Sequence, residues 1–400
     1  MLFPPYLHSH EVERLQLYKY TSSKPTPLDA LLNPFWNAAA AAVPKWLSPN
    51  TLTVLGLLSS GFGAALCLVY APTLTEDTPT WVWPVVALTV FVYQTLDAID
   101  GKHARRTGAS SPLGQLVDHG CDAFTACFMG IVCCAAAKFG ASMNTFAILM
   151  CLQTNTFVWN WLELHTDRYT TSFGIFGVTE GQYTVIVACL MPLVLGDTDL
   201  VAMAPLAARP YLSQLGGVLG TGGAFYWHTF LGPCWCTIDV LLVAATVVEV
   251  LRKAKDRLQA AGHLFWWLVY VYASYVFFTR GGASFHVGWF CVVSTVHFAI
   301  YFLRALASTT CKVLFAQIQW PLLPFFATTV LLSAGPPSAL LHQLGMPRDQ
   351  FIFTLMTGLT AWGVVYLGEL IVANVRTICR VVEVPFWRIP AKTPKERKRR

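Results

Sequence analysis

The chain has 400 residues, of which 55% are hydrophobic and only 12% charged, with a formal net charge of +6. Soluble domains carry roughly 25% charged residues, so the composition excludes an ordinary soluble protein and gives no reason to expect a nucleic-acid partner. The apolar residues fall in runs near the roughly 17 to 25 residues that cross a bilayer as a helix, and there are many such runs rather than one anchor.

In chain order, spans are expected near 51–72, 81–99, 117–138, 143–163, 181–196, 233–251, 263–279, 286–306, 313–334 and 351–376. The fold class is therefore an all-α integral membrane protein of about ten transmembrane helices. If residue 1 lies in the cytoplasm, 23 of the 27 Lys and Arg fall on the cytoplasmic side. Only Lys138, Arg209, Arg280 and Arg348 fall on the other. Cytoplasmic loops hold most basic residues in membrane proteins, so both ends of the chain are expected in the cytoplasm.

Before the first span, Leu28 to Leu47 is apolar but broken by Pro34 and Pro44 and flanked by Lys24 and Lys45, which reads as an interfacial helix. The first dozen residues mix charges and prolines, so no cleavable signal peptide is expected. Most of the 12 cysteines, Cys133 and Cys134 among them, lie in apolar runs and read as small hydrophobes. Cys234 and Cys236 lack the matching His or Cys cluster that zinc needs. No glycosylation sequon occurs and no internal repeat is visible, which weakens a transporter built from inverted halves. The terminal KERKRR run is a solvated tail, a patch for anionic headgroups or a retention signal.

The segment LDAIDGKHARRTGASSPLGQLVDHGCDAF concentrates four carboxylates where a membrane protein should have few. Asp97 and Asp100 stand three apart at the end of the second span, and Asp118 and Asp122 four apart at the start of the third, so each pair shares a helix face. A short connection holding Gly108, Ser110, Ser111 and Pro112 lets the two acidic faces converge at the cytoplasmic edge. Salt bridges to Lys102, Arg105 and Arg106 would account for any one aspartate, but four such charges repel unless positive charge sits between them. Hard divalent cations, Mg2+ or Mn2+, suit carboxylate oxygens, and two of them would match a two-metal phosphoryl-transfer site. Gly101 and Gly114 remove side chains where a nucleotide could approach, Ala104 keeps that face open, and Arg105 offers a planar donor fork for phosphate. Lys102 and Arg106 add positive charge at the mouth.

These residues also fill the pattern D-x-x-D-G-x-x-A-R-x8-G-x3-D-x3-D at every position, with Asp97, Asp100, Gly101, Ala104, Arg105, Gly114, Asp118 and Asp122. That pattern resembles the signature of the CDP-alcohol phosphotransferase family. The flanking residues are similar to those of eukaryotic choline/ethanolamine phosphotransferases: Gly101 to Thr107, Ser110 to Gly114, Asp118 to Asp122, Tyr18 to Tyr20, Asn33 to Trp36, and Pro49-Asn50. The specific motifs lie in the first half; beyond about residue 185 the likeness is one of topology.

The resemblance implies that Asp97, Asp100, Asp118 and Asp122 hold two divalent ions and that Gly101, Ala104 and Arg105 cradle the CDP group, with Asn50 touching the nucleotide. It implies His119 as general base. That histidine falls about 100° round the helix from Asp118, beside the metal site rather than in it. Glu163 and Glu180 are further candidates on similar but less diagnostic segments, and Asp239, Glu249, His297 and Glu369 receive no role. The implied reaction moves phosphocholine or phosphoethanolamine from CDP-choline or CDP-ethanolamine to the hydroxyl of a diradylglycerol, releasing CMP. Phosphatidylinositol synthase and related enzymes share the motif and remain the alternative within the class; a polytopic transporter is the alternative outside it.

The expected organisation is a cytoplasmic or interfacial segment over 1–50, catalytic helices over 51–200, C-terminal transmembrane helices over 201–376, and a basic tail over 377–400. The active site would face the cytoplasm on the endoplasmic reticulum or Golgi, among membrane lipids, and a homodimer is compatible with the sequence.

Overall fold

The computed structural model describes residues 3, 6–17, 25–170, 172–173, 176–196, 199–218, 226–281, 287–335 and 338–389. The Tyr18 to Tyr20 motif and the KERKRR run lie outside the described residues. In chain order the helices are α1 (Ser9–Val12), α2 (Pro27–Ala42), α3 (Pro49–Tyr70), α4 (Val82–Thr107), α5 (Pro112–Ala136), α6 (Met143–Thr166), α7 (Val178–Val194), α8 (Leu200–Met203), α9 (Arg209–Val218), α10 (Trp227–Lys253), α11 (Arg257–Arg280), α12 (Val287–Cys311), α13 (Leu323–Ala334), α14 (Ser338–Leu344) and α15 (Arg348–Val382). Ser172–Phe173 pairs antiparallel with Phe176–Gly177 in a minimal hairpin.

Each of the ten expected spans coincides with a helix. Among the described residues, seven helices are long and apolar enough to cross a membrane: α3, α4, α5, α10, α11, α12 and α15. With the shorter apolar helices, this is an all-α, multi-pass membrane protein. The ninth expected span is shortened, since residues 313–319 are not helical and the helical turn begins only at Trp320. Pro321 and Pro324 explain that late start, because proline belongs in a first turn and pushes the residue before it out of the helical region.

Two edges were also misplaced by hydropathy. The helix carrying Asp97 and Asp100 runs on to Thr107, so both aspartates sit inside α4 rather than at its end. It stops at Gly108, whose φ of 68° is left-handed, with Ala109 N donating to Ala104 O at 2.9 Å. The next helix begins at once. Ser111 caps it by accepting from Gly114 N at 3.2 Å, and Pro112 fills the first turn. Apolar character fades toward the polar loop before helical structure does.

Ion pairs tie loops together at either end of the bundle. At one end Asp167, after α6, accepts from Lys255 (2.7 Å) and Lys312 (2.6 Å), which follow α10 and α12. At the other, Lys138 pairs with Asp77 at 2.7 Å. The two halves of the chain are joined through α12, which packs on α5, α6 and α15. Gln153 of α6 donates to Ser294 of α12 at 2.9 Å inside this interface. Arg304 is buried in α12, bonded to Gln319 (2.5 Å) and Tyr366 (2.6 Å) and placed over the Tyr6 ring.

Candidate active site

The site is built where α3, α4 and α5 pack against one another. α3 can approach α4 closely because Gly56 faces Tyr93 and Gly63 faces Thr89, with no room for a Cβ at Gly63 beside the Thr89 hydroxyl. That contact sets the facing sides of α4 and α5, and with them the carboxylates. Asp97, Asp118 and Asp122 each offer an oxygen, and these oxygens all lie within 4.8 Å of one another. Asp100, three residues on from Asp97 along α4, is 6% exposed and accepts a short hydrogen bond from the Thr53 hydroxyl. Tyr93 donates to Asp122 at 2.7 Å.

Two neutral hydroxyls cannot offset the charge of the three converging carboxylates and the nearby Asp100, and among the described residues no Lys or Arg forms a salt bridge to them. The donor set is all oxygen, from two helices, and converges on one point. It fits a hard divalent cation.

The basic residues of the motif divide. Lys102 reaches α2 instead of the mouth, donating to Asn33 (2.5 Å) and Asn37 (2.9 Å). Arg106 donates two short bonds to the carbonyls of Ala40 and Val43, closing the C-terminus of α2, and His103 bonds Leu47 O at 2.9 Å. Arg105 is left exposed, with its Nη1 3.5 Å from where a Gly101 Cβ would stand. A Cβ on Gly101 would meet nothing else, and one on Gly114 would touch only Asn50 Oδ1 at 3.5 Å and Ser111 Oγ at 3.6 Å. Among the described residues, no packing contact requires either glycine. Ala104 lies on the same helix, half-buried. Asn50 opens α3 beside Gly114 and donates to Phe386 O at 3.1 Å, so the segment after α15 reaches this end of the bundle.

His119 is 5% exposed and stacks on Tyr169, with ring centroids 4.6 Å apart. With Asp122 it borders a cavity of about 300 Å³ that runs between α5, α6, α7 and α10, walled largely by apolar side chains. Glu163 is buried in the last turn of α6 and does not line this cavity. Glu180 accepts from Gly177 N at 2.8 Å and so caps its own helix, α7.

Sequence reasoning missed Thr53, Tyr93 and Tyr169. For Tyr93 a signal existed: it precedes Asp97 by four residues and so shares its helix face. Tyr169 lies in a loop, where spacing carries no such information. The four unassigned residues prove heterogeneous. Asp239 accepts a short bond from Asn155 at the cavity, Glu249 pairs with Arg168 and Lys253, His297 bonds Val293 O within α12, and Glu369 accepts from Phe3 N.

Residues 46–215 match the CDP-alcohol phosphatidyltransferase family model. The chain is 36% identical to cholinephosphotransferase 1 of Xenopus laevis over 219 residues, covering 53% of this chain and 54% of that protein. It is 34% identical to the Homo sapiens cholinephosphotransferase 1 over 233 residues, 56% of each chain. It is 33% identical to choline/ethanolaminephosphotransferase 1 of Arabidopsis thaliana over 196 residues, 48% of this chain and 49% of that one. The chain thus spans about half the length of the curated relatives it matches. Residues 46–215, the stretch that is similar to the CDP-alcohol phosphatidyltransferase family, carry Asp97, Asp100, Asp118, Asp122 and His119.

Proposed function

We propose that this protein transfers phosphocholine or phosphoethanolamine from CDP-choline or CDP-ethanolamine to a diradylglycerol, giving the phospholipid and CMP. The observation that carries this reading is the junction of two environments: the carboxylate cluster and His119 stand at one boundary of an apolar cavity within the bundle. A water-soluble nucleotide and a lipid alcohol need such a junction to meet.

In this reading Asp97, Asp100, Asp118 and Asp122 hold two divalent ions, Mg2+ or Mn2+. When bound, these neutralise charge on the pyrophosphate and on the departing CMP. Arg105 offers its guanidinium to a phosphate, while Gly101, Ala104 and Gly114 leave the face of α4 and α5 open to the nucleotide and Asn50 borders it. His119 accepts the proton from the acceptor hydroxyl through an imidazole nitrogen, and Tyr169 holds the ring by stacking on it. The oxygen so freed attacks the phosphorus that bears the alcohol head group, and the bond to the CMP oxygen breaks. The site end of the bundle is assigned to the cytoplasm, on the endoplasmic reticulum or Golgi, because that end takes most of the basic residues.

The direct experiment supplies the purified protein with each CDP-alcohol and a diacylglycerol, then identifies the phospholipid and measures CMP. Formation of phosphatidylcholine or phosphatidylethanolamine in step with CMP is expected. Turnover that needs a CDP-linked lipid and a soluble alcohol instead would assign the chain to the phosphatidylinositol synthase type.

A further inference from the structure

Beyond the carboxylates, the wall of the cavity formed by α6 holds polar groups that the reaction above leaves unused. Asn160 lines the cavity at 2% exposure, and among the described residues neither its amide nitrogen nor its amide oxygen has a hydrogen-bond partner. Trp159 lines it too, with a buried Nε1–H that finds no acceptor among the described residues. One turn earlier, Asn155 spends its own amide donor on Asp239. The unspent donors on this wall are therefore those of Asn160 and Trp159.

A buried amide or indole N–H without an acceptor is strongly disfavoured, and more so inside a bilayer, where no bulk water substitutes. Two orphaned donors on consecutive residues, both at an apolar cavity, call for a ligand that is mostly apolar yet presents carbonyl oxygens. Ester-linked glycerolipids have that chemistry. Their carbonyls lie a few bonds from the free hydroxyl, which in the proposed reaction sits by His119 on the same cavity.

We propose that Asn160 and Trp159 form an ester-reading subsite, whose donors bind the acyl carbonyls of the acceptor and so favour diacyl over ether-linked glycerol. This rests on the functional reading above for the place of the hydroxyl, but not for the existence of the subsite. The same donors would find only poor acceptors in an ether-linked chain, because the carbonyl oxygen is missing.

The test compares 1,2-diacylglycerol with a 1,2-dialkylglycerol of equal chain length, using the full-length protein in lipid nanodiscs. The wild type should show a KM for the diacyl acceptor roughly tenfold below that for the dialkyl one, the scale of a lost hydrogen bond to a buried donor. Asn160→Leu, close in size and without polar atoms, should raise the diacyl KM about tenfold and move the dialkyl KM little. Trp159→Phe should act in the same direction. The KM for the CDP-alcohol should stay put in both. Equal wild-type KM values for the two acceptors would overturn the proposal, as would variants that shift the CDP-alcohol KM instead. Displacement of labelled diacylglycerol by the dialkyl compound provides a readout without turnover. Weak displacement in a protein that catalyses no transfer would keep the subsite and remove the reaction; equal displacement would remove the subsite.

Discussion

Replacing Gly101 by alanine separates a packing role from a ligand role. An added Cβ meets only the Arg105 Nη1, at 3.5 Å, which is ordinary van der Waals contact. Gly101 lies inside α4, six residues before Thr107, where alanine is favoured over glycine by about 0.5–1 kcal/mol. The folded protein should therefore be as stable as the wild type or slightly more so. If the open face of α4 is where the nucleotide lies, the same methyl occupies its path. One methyl-sized misfit in a binding site is worth roughly 1–3 kcal/mol, or about 10- to 200-fold in kcat/KM. The assay is CMP release against CDP-alcohol concentration, with thermal unfolding in detergent measured on the same preparation. Gly63→Ala is the control of opposite sign, since its Cβ would collide with the Thr89 hydroxyl, and it should lower the melting temperature. Wild-type kcat/KM in Gly101→Ala would refute the placement of the nucleotide, and a drop in melting temperature would show that packing had been misjudged.

The other expectations can be checked with equally direct measurements. Chelation should abolish CMP release and Mg2+ or Mn2+ should restore it, whereas Asp97→Asn should stay inactive at ordinary metal concentrations; full activity in excess EDTA would end the metal assignment. His119→Ala should keep CDP-alcohol binding and lose roughly 10²- to 10⁴-fold in turnover, and near-normal turnover would return the base to an aspartate. The Lys255 and Lys312 ammonium groups hold the Asp167 carboxyl below its ordinary value. Its ion pairs are thus fully present above the unfolded value near 3.9 and are lost as the pH falls through the depressed folded one. Wild type should melt slightly above Asp167→Asn at neutral pH, with the gap closing below about pH 4; a gap that persists there would show that the pairs are not its source. In a cysteine-light background, Ser110→Cys and Arg252→Cys should be labelled from the cytoplasmic face and Asp77→Cys should not, and labelling of all three from one side would refute the topology.

The span positions were legible because hydropathy reports directly on what a bilayer requires. Their edges were not, since helix ends are fixed by capping: α4 runs on through DGKHARRT until Gly108 offers a left-handed residue, and α5 starts as soon as Ser111 and Pro112 permit. The carboxylate cluster was legible for a different reason. Spacings of three and four put each pair on one face whatever the exact edges. The partners of Lys102 and Arg106 were not legible because spacing gives the angle of a side chain around its helix but not its neighbour, and here the neighbour is α2. The polar wall on α6 was invisible for the same reason. Asn155, Trp159 and Asn160 read as ordinary residues of an apolar run until α10 and α7 close the cavity in front of them.

If the proposed reaction holds, the geometry of α5 gives a physical reason for joining nucleotide chemistry to a lipid acceptor in one fold. Asp118 and Asp122 lie one turn apart. Continuing along the helix, Asp122, Thr125, Ala126 and Met129 all line the cavity, at the i, i+3, i+4 and i+7 positions of a single face. A rigid stripe therefore passes from carboxylates to a hydroxyl and then to apolar side chains within two turns, a rise of about 11 Å. A ligand lying along it would have its polar end held at the aspartates and its apolar part deeper among the helices. Placing a charged cluster on a span costs heavily in a membrane, and on α5 it stands beside apolar surface of the cavity. Moving the aspartates to a soluble loop would avoid that cost, but in the proposed reaction the acceptor hydroxyl would then have to leave the bilayer to react.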